Sequence, residues 1–198
     1  MIRAIFFDFY GVWTPDVFAE HLAEAQQFGP AVVNELTGVV ERYFLGQATP
    51  EQVADAFRFK LSRPDIDTAQ FTLRETDIYP AIVDFMRGLH GHFVKLGILA
   101  ELGPQEFRLL NDFNQQNQVF EAIASPLSLQ LPMPLLSNEV FDAALRTIGE
   151  PTRSCMVVTA NPAYLQFAQN LGIGSLVYQG FPKLQQDLQQ ILSDTTEN

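Results

Sequence analysis

From Tyr79 onwards the chain alternates short apolar runs with amphipathic stretches, and this alternation limits the fold more than any other feature. Residues 93–99, 122–124, 155–158 and 175–178 are short runs carrying branched, aromatic or other apolar residues, the pattern of strands. Between and after them, 80–89, 104–117, 138–148, 162–171 and 183–192 read as helices. Pro80, Pro104 and Pro162 suit a first helical turn, and Gly149 suits a helix end. Strands that do not alternate with polar residues are buried on both faces. Strands joined by helices of this length form a parallel sheet with helices on either side. Ligands of such sheets bind beyond the carboxyl ends of the strands, so the residues just after Phe9, Leu99 and Val158 matter most.

The N-terminal part begins with one more apolar run, residues 2–9, which Gly11 ends. Thr14-Pro15-Asp16 then predicts a helix start, with Thr14 as the cap and a helix running to Phe28 before Gly29-Pro30. Residues 31–45 predict a second helix. Thr49-Pro50-Glu51-Gln52 is a capping box opening a third, to about Leu61. No strand is predicted between 15 and 75. The chain therefore divides into an α/β core, 1–14 with 76–198, and a helical insert, 15–75.

Twelve Lys and Arg against 23 Asp and Glu give a net charge of −11. Such a charge disfavours nucleic acid and anionic membranes, and any anionic substrate would need a local cation or metal. No apolar run reaches the roughly 18 residues of a membrane span. Met1-Ile2-Arg3 leads straight into the first strand, so no signal peptide is expected, and the single Cys155 fits a reducing cytoplasm. His21, His90 and His92 lack metal-ligand spacing, and His90-Gly91-His92 reads as a turn. Lys95 reads as an edge or snorkelling residue. The 17 phenylalanines predict a large aromatic core, some of it available to a homodimer face.

Ile5-Phe6-Phe7-Asp8-Phe9-Tyr10-Gly11-Val12 resembles the first motif of the haloacid-dehalogenase-like (HAD) hydrolases, an apolar strand ending at a nucleophilic aspartate. Four further segments resemble the same superfamily in the same order: 41–51 its small helical cap, 96–99 its second-motif strand, 138–149 the helix after its third motif, and 155–172 its fourth-motif strand and helix. The resemblance spans nearly the whole chain. It implies a Rossmannoid three-layer α/β/α parallel sheet with a small helical cap.

The resemblance also implies roles, and most are unfilled. Asp8 stands at the nucleophile position, but Tyr10 replaces the acid/base carboxylate. Ala100, followed by Glu101, stands where Ser or Thr binds phosphate. Leu131, before Pro132-Met133-Pro134, stands where a lysine does. Thr159 and Ala160 occupy the positions of the Mg²⁺-binding carboxylates, while Asn161 and Pro162 match the pattern. Trp13 and Arg42 are further candidates for contact with a substrate.

Three readings follow. The first is a non-catalytic HAD-like protein that needs no cofactor and binds a partner protein or small molecule. The second is a metal-independent haloacid-dehalogenase-like hydrolase acting through Asp8, because Asp8-Phe9-Tyr10-Gly11 is similar to the dehalogenase form of the motif. The third is a residual phosphatase with Mg²⁺ shared between Asp8 and Glu101. The first is the expectation.

Overall fold

The computed structural model describes residues 1–74, 77–90, 94–131 and 134–194. Its centre is β1 (Ala4–Phe7), hydrogen-bonded in parallel to β2 (Lys95–Leu99) on one side and β4 (Cys155–Thr159) on the other. β3 (Ala122–Ala124) and β5 (Gly174–Val177) complete a five-stranded parallel sheet in the order β3-β2-β1-β4-β5. The chain lays down strands outward from β1 in one direction, then returns to β1's other edge. That reversal opens a crevice at the carboxyl ends of β1 and β4.

Strand periodicity sorts the core into two clusters, one on each face of the sheet. Ile5, Phe7, Leu96, Ile98, Met156 and Val158 belong to one cluster, and Ala4, Phe6, Leu99, Cys155 and Val157 to the other. The first cluster takes in residues of α4 (Pro80–His90), α5 (Pro104–Asn117) and α8 (Phe181–Asp194). The second takes in residues of α6 (Asn138–Ile148) and α7 (Pro162–Asn170). Three layers result, as the alternation implied.

Between β1 and α4 lie α1 (Val17–Ala25), α2 (Pro30–Phe44) and α3 (Pro50–Leu61), with a 3-10 turn over Thr68–Phe71. This segment is an insert in chain order, yet its buried side chains, Leu36, Phe57 and Phe71 among them, share the cluster of the first sheet face. The Thr49–Gln52 capping box forms as expected, with Gln52 N–H donating to Thr49 Oγ1 and Thr49 N–H to Gln52 Oε1.

The start of α1 differs from the sequence reading. Asp16, not Thr14, is the cap, accepting from Ala19 N–H at 2.9 Å. Thr14 is held further back, in a β-bridge with Tyr10 and with its carbonyl accepting from Gly11 N–H at 2.8 Å. Gly11 makes that tight return at φ +77°, a conformation that glycine adopts without steric cost. The helix also ends early, at Ala25, and reaches Phe28 only as a 3-10 turn. Lys95 pairs with Ala4 of β1, while the pairing of β2 with β3 begins only at Gly97, so its β3 side is open as the edge reading expected. Its ammonium meets the Ile148 carbonyl at 3.0 Å and Glu150 at 2.9 Å. Gly91, His92 and Phe93 of the expected turn and strand lie outside the described residues, as do Pro132 and Met133.

β2 carries Gly97 opposite Phe6, and a Cβ at that position would lie 2.8 Å from two carbons of the Phe6 ring. The ring is buried under α6 and α7 and has no room to retreat. Gly97→Ala is expected to lower stability by about 1–3 kcal/mol through overpacking, measured by urea unfolding.

Candidate functional site

Asp8 is the first residue beyond β1, and its N–H still bonds to the Val158 carbonyl of β4 at 2.8 Å. The backbone is thus fixed before the side chain is placed. Oδ1 accepts from Phe9 N–H at 2.7 Å and Oδ2 from the Thr159 hydroxyl at 2.6 Å. Thr159 is held in turn by Asn161 N–H, which donates to its Oγ1 at 2.9 Å, and Asn161 caps α7 through Ala163 N–H. Asp8 is only 6% exposed. Burial pushes its pKa up to about 7; the two hydrogen bonds oppose the rise, and the charges of Glu101 and Asp16 add to it.

Above Asp8, the carboxyl ends of the strands and helices α1 and α2 enclose a cavity of about 560 Å³. Four carboxylates line it: Asp8, Asp16, Glu41 and Glu101. Among the described residues no lysine, arginine or histidine does so. Phe18, Phe44 and Tyr164 supply aromatic wall, and the Tyr164 hydroxyl donates to Glu101.

Tyr10 is turned away from Asp8's carboxyl chemistry. Its ring packs edge-on against Phe9 and Phe18, and its hydroxyl bonds to Glu106. Glu106, in the first turn of α5, is 1% exposed and accepts the Tyr43 hydroxyl of α2 at 2.9 and 2.7 Å. Burial beside that carboxyl pushes the Tyr10 phenol well above its ordinary range, so it cannot serve as a base near neutral pH. Close approach of α2 to α5 depends on Gly103, where a Cβ would sit 2.4 Å from the Tyr43 ring.

The structure brings together Asp8, Tyr10, Glu101, Ala160 and Asn161 around the cavity, with Thr159 directly behind Asp8. Four sequence candidates fall elsewhere. Ala100 is fully buried, its N–H bonded to the Ala124 carbonyl, and it does not line the cavity. Trp13 is fully buried against Phe113 and Phe120, behind the turn rather than in the cleft. Arg42 lies on the exposed face of α2 along Gly38, while its neighbour Glu41 faces the cavity. Leu131 is half-buried against the cluster under α6 and α7. Sequence reasoning missed Asp16, read only as part of a helix start, Glu41, read only as part of the cap-like segment, and Glu106, which carried no motif.

Among the described residues no group of three or more His, Cys, Asp or Glu is placed to hold a metal ion. Thr159 and Ala160 offer a hydroxyl already committed to Asp8 and a methyl group. The residues present therefore do not fit the Mg²⁺ that the resemblance implies.

No protein-family model and no curated protein matches the sequence. Solved structures do. A HAD family enzyme from Bacteroides thetaiotaomicron, in complex with magnesium and inorganic phosphate, is 15% identical, with a TM-score of 0.59 over 90% of this chain and 95% of that one. A predicted HAD-like hydrolase from Porphyromonas gingivalis gives 17% identity and a TM-score of 0.64 over 95% and 98%. The L-2-haloacid dehalogenase of Xanthobacter autotrophicus gives 20% identity and 0.55 over 88% and 76%. The fold is that of the HAD-like proteins.

Two outcomes follow from these contacts. The folded protein holds the Asp8 proton more tightly than the unfolded chain, so ionised Asp8 opposes folding in full above about pH 7, and the opposition fades as pH falls towards 4. Asp8→Asn is therefore expected to exceed the wild type in stability at about pH 8, on the order of 2–4 kcal/mol, and to match it near pH 4 in urea titrations. Glu106→Ala strands two buried tyrosine hydroxyls and is expected to cost about 3 kcal/mol, whereas Glu106→Gln, which still accepts, should cost less than half of that by thermal unfolding.

Proposed function

We propose that this chain uses the cleft above Asp8 to bind a small neutral or cationic molecule, and that it is not a metal-dependent phosphatase. The observation that carries this reading is the charge of the lining: four carboxylates with no cationic side chain among the described residues. Two unit charges 4 Å apart at a partly buried site interact by about 4 kcal/mol, so a phosphate dianion beside ionised Asp8 meets strong repulsion. The same field attracts an ammonium group, and the rings of Phe18 and Phe44 add a surface on which a cation can rest. The acid/base position contributes nothing, because Tyr10 is bound to Glu106.

A second reading, metal-free attack of Asp8 on carbon, is supported by the Asp8-Phe9-Tyr10-Gly11 motif and by the structural likeness to a haloacid dehalogenase. It ranks lower, since Asp8 is half-protonated near pH 7 and no lining cation is present to hold the carboxylate of a 2-haloacid.

One set of measurements separates these readings. Wild type and Asp8→Asn are assayed for p-nitrophenyl phosphate hydrolysis with Mg²⁺ and for chloride release from 2-chloropropionate without metal. NMR titrations with tetramethylammonium and with inorganic phosphate run in parallel. The binding reading expects no turnover, no response to phosphate, and saturable shifts around Asp8, Asp16 and Glu41 with tetramethylammonium. Turnover that disappears in Asp8→Asn, or phosphate binding in the cleft, overturns it.

A further inference from the structure

Residues 154–182 carry no charged side chain, although 18% of the whole chain is Asp, Glu, Lys or Arg. That stretch comprises β4, α7 and β5 with their connections. β4 is buried inside the sheet, so burial alone accounts for its lack of charge. α7 and β5 are different, because both reach solvent. Gln166, Gln169 and Asn170 are exposed on α7, as are Gly174 and Val177 on β5, and Val177 is 47% exposed. Gln169 reaches across to the Ser175 hydroxyl at 2.9 Å, so helix and strand form one continuous surface. Exposed helix faces and edge strands ordinarily carry charge, and depletion of charge marks the core of a protein–protein interface.

β5 is also the last strand of the sheet among the described residues, so its outer edge is unpaired. Tyr178 N–H bonds inward, to the Thr159 carbonyl of β4 at 2.9 Å. Alternation along the strand then turns the N–H and C=O of Ser175 and Val177 outward, where no further described strand meets them. The opposite end of the sheet is better covered: β3 has three residues, all buried or half-buried. β5 holds neither a charge nor a proline, the usual protection of an edge strand.

We propose that this edge is a homodimer interface, with β5 of two copies pairing antiparallel across a twofold axis at Leu176. In that register Ser175 lies opposite Val177 of the second copy, and each such pair exchanges two backbone hydrogen bonds. The same residues donate and accept on both sides, so the edge is its own complement, as an isologous contact requires. Charge also selects a second copy. Chains of net charge −11 repel each other through their acidic faces, and the charge-free surface lets two of them approach. The interface rests on no reading of the Asp8 cleft.

Sedimentation equilibrium and backbone amide exchange on the full chain test the proposal. A monomer–dimer equilibrium is expected between about 5 and 500 µM, and across that range the Ser175 and Val177 amides should slow about tenfold as dimer forms. Val177→Glu places a carboxylate on each side of the axis, about 7–8 Å apart, and should weaken the dimer about tenfold. Because Val177 is half-exposed, the thermal stability of the monomer should be unchanged. Phe59→Glu alters another exposed apolar side chain, on α3, and should leave the dimer intact. Should Val177→Glu not fold, the concentration dependence of amide exchange in the wild type decides the matter. The proposal is overturned if the chain stays monomeric throughout that range, or if it dimerises without slowing exchange at Ser175 and Val177. It is also overturned if Val177→Glu dimerises as tightly as the wild type, or if Phe59→Glu weakens the dimer as much.

Discussion

The whole arrangement hangs on β1 being hydrogen-bonded on both edges and covered on both faces. Four residues, Ala4–Phe7, carry that burden, all of them buried. Because the backbone partners on both sides are parallel, the strand's carboxyl end coincides with the carboxyl ends of its neighbours, and the chain leaves the sheet where it is least solvated. Asp8 is the first polar group after that exit. Its high pKa is not a property of the motif but of its burial at the carboxyl end of the central strand.

That location determines the electrostatics of the cleft. The sheet delivers the Asp8 carboxylate to this point, and its neighbours decide what it can do. Here they are Thr159, which donates a hydrogen bond, and Glu101, Asp16 and Glu41, which add negative charge to the same cavity. Thr159 in particular acts as a brace: it orients Asp8, is itself oriented by Asn161 N–H, and so ties β1 to the start of α7. The net charge of −11 is therefore not only a surface property, because part of it is concentrated in the cleft.

Much of the fold was legible because it rests on local signals. Strand runs, proline at helix starts and the Thr49–Gln52 capping box each report on neighbours in the chain, and the observed elements follow them to within a residue or two. The exception, Thr14, failed because its fate depends on a turn that folds back onto Tyr10, which no local cap rule sees. Asp8, Glu101 and Asn161 were legible for the same topological reason as the crevice itself. Arg42 and Glu41 show the opposite case: adjacent on a helix, they point about 100° apart, and only packing of α2 against α1 and α3 decides which one lines the cleft. Glu106 was invisible, since nothing in a glutamate after Gly103-Pro104-Gln105 announces that two distant tyrosines will converge on it.

Glu106 also determines how the molecule comes apart. Three chain regions meet at its carboxyl: the turn after β1 through Tyr10, α2 through Tyr43, and α5 through its own backbone. Lifting α2 away from the start of α5 would leave a carboxyl and a phenol without partners in an apolar setting, so partial opening of the helical segment is penalised at its first step. The consequence is cooperativity. The inserted helices are then expected to lack a private route to unfolding, with their amides exchanging through the same openings as those of α5 although the sequence is laid out in two.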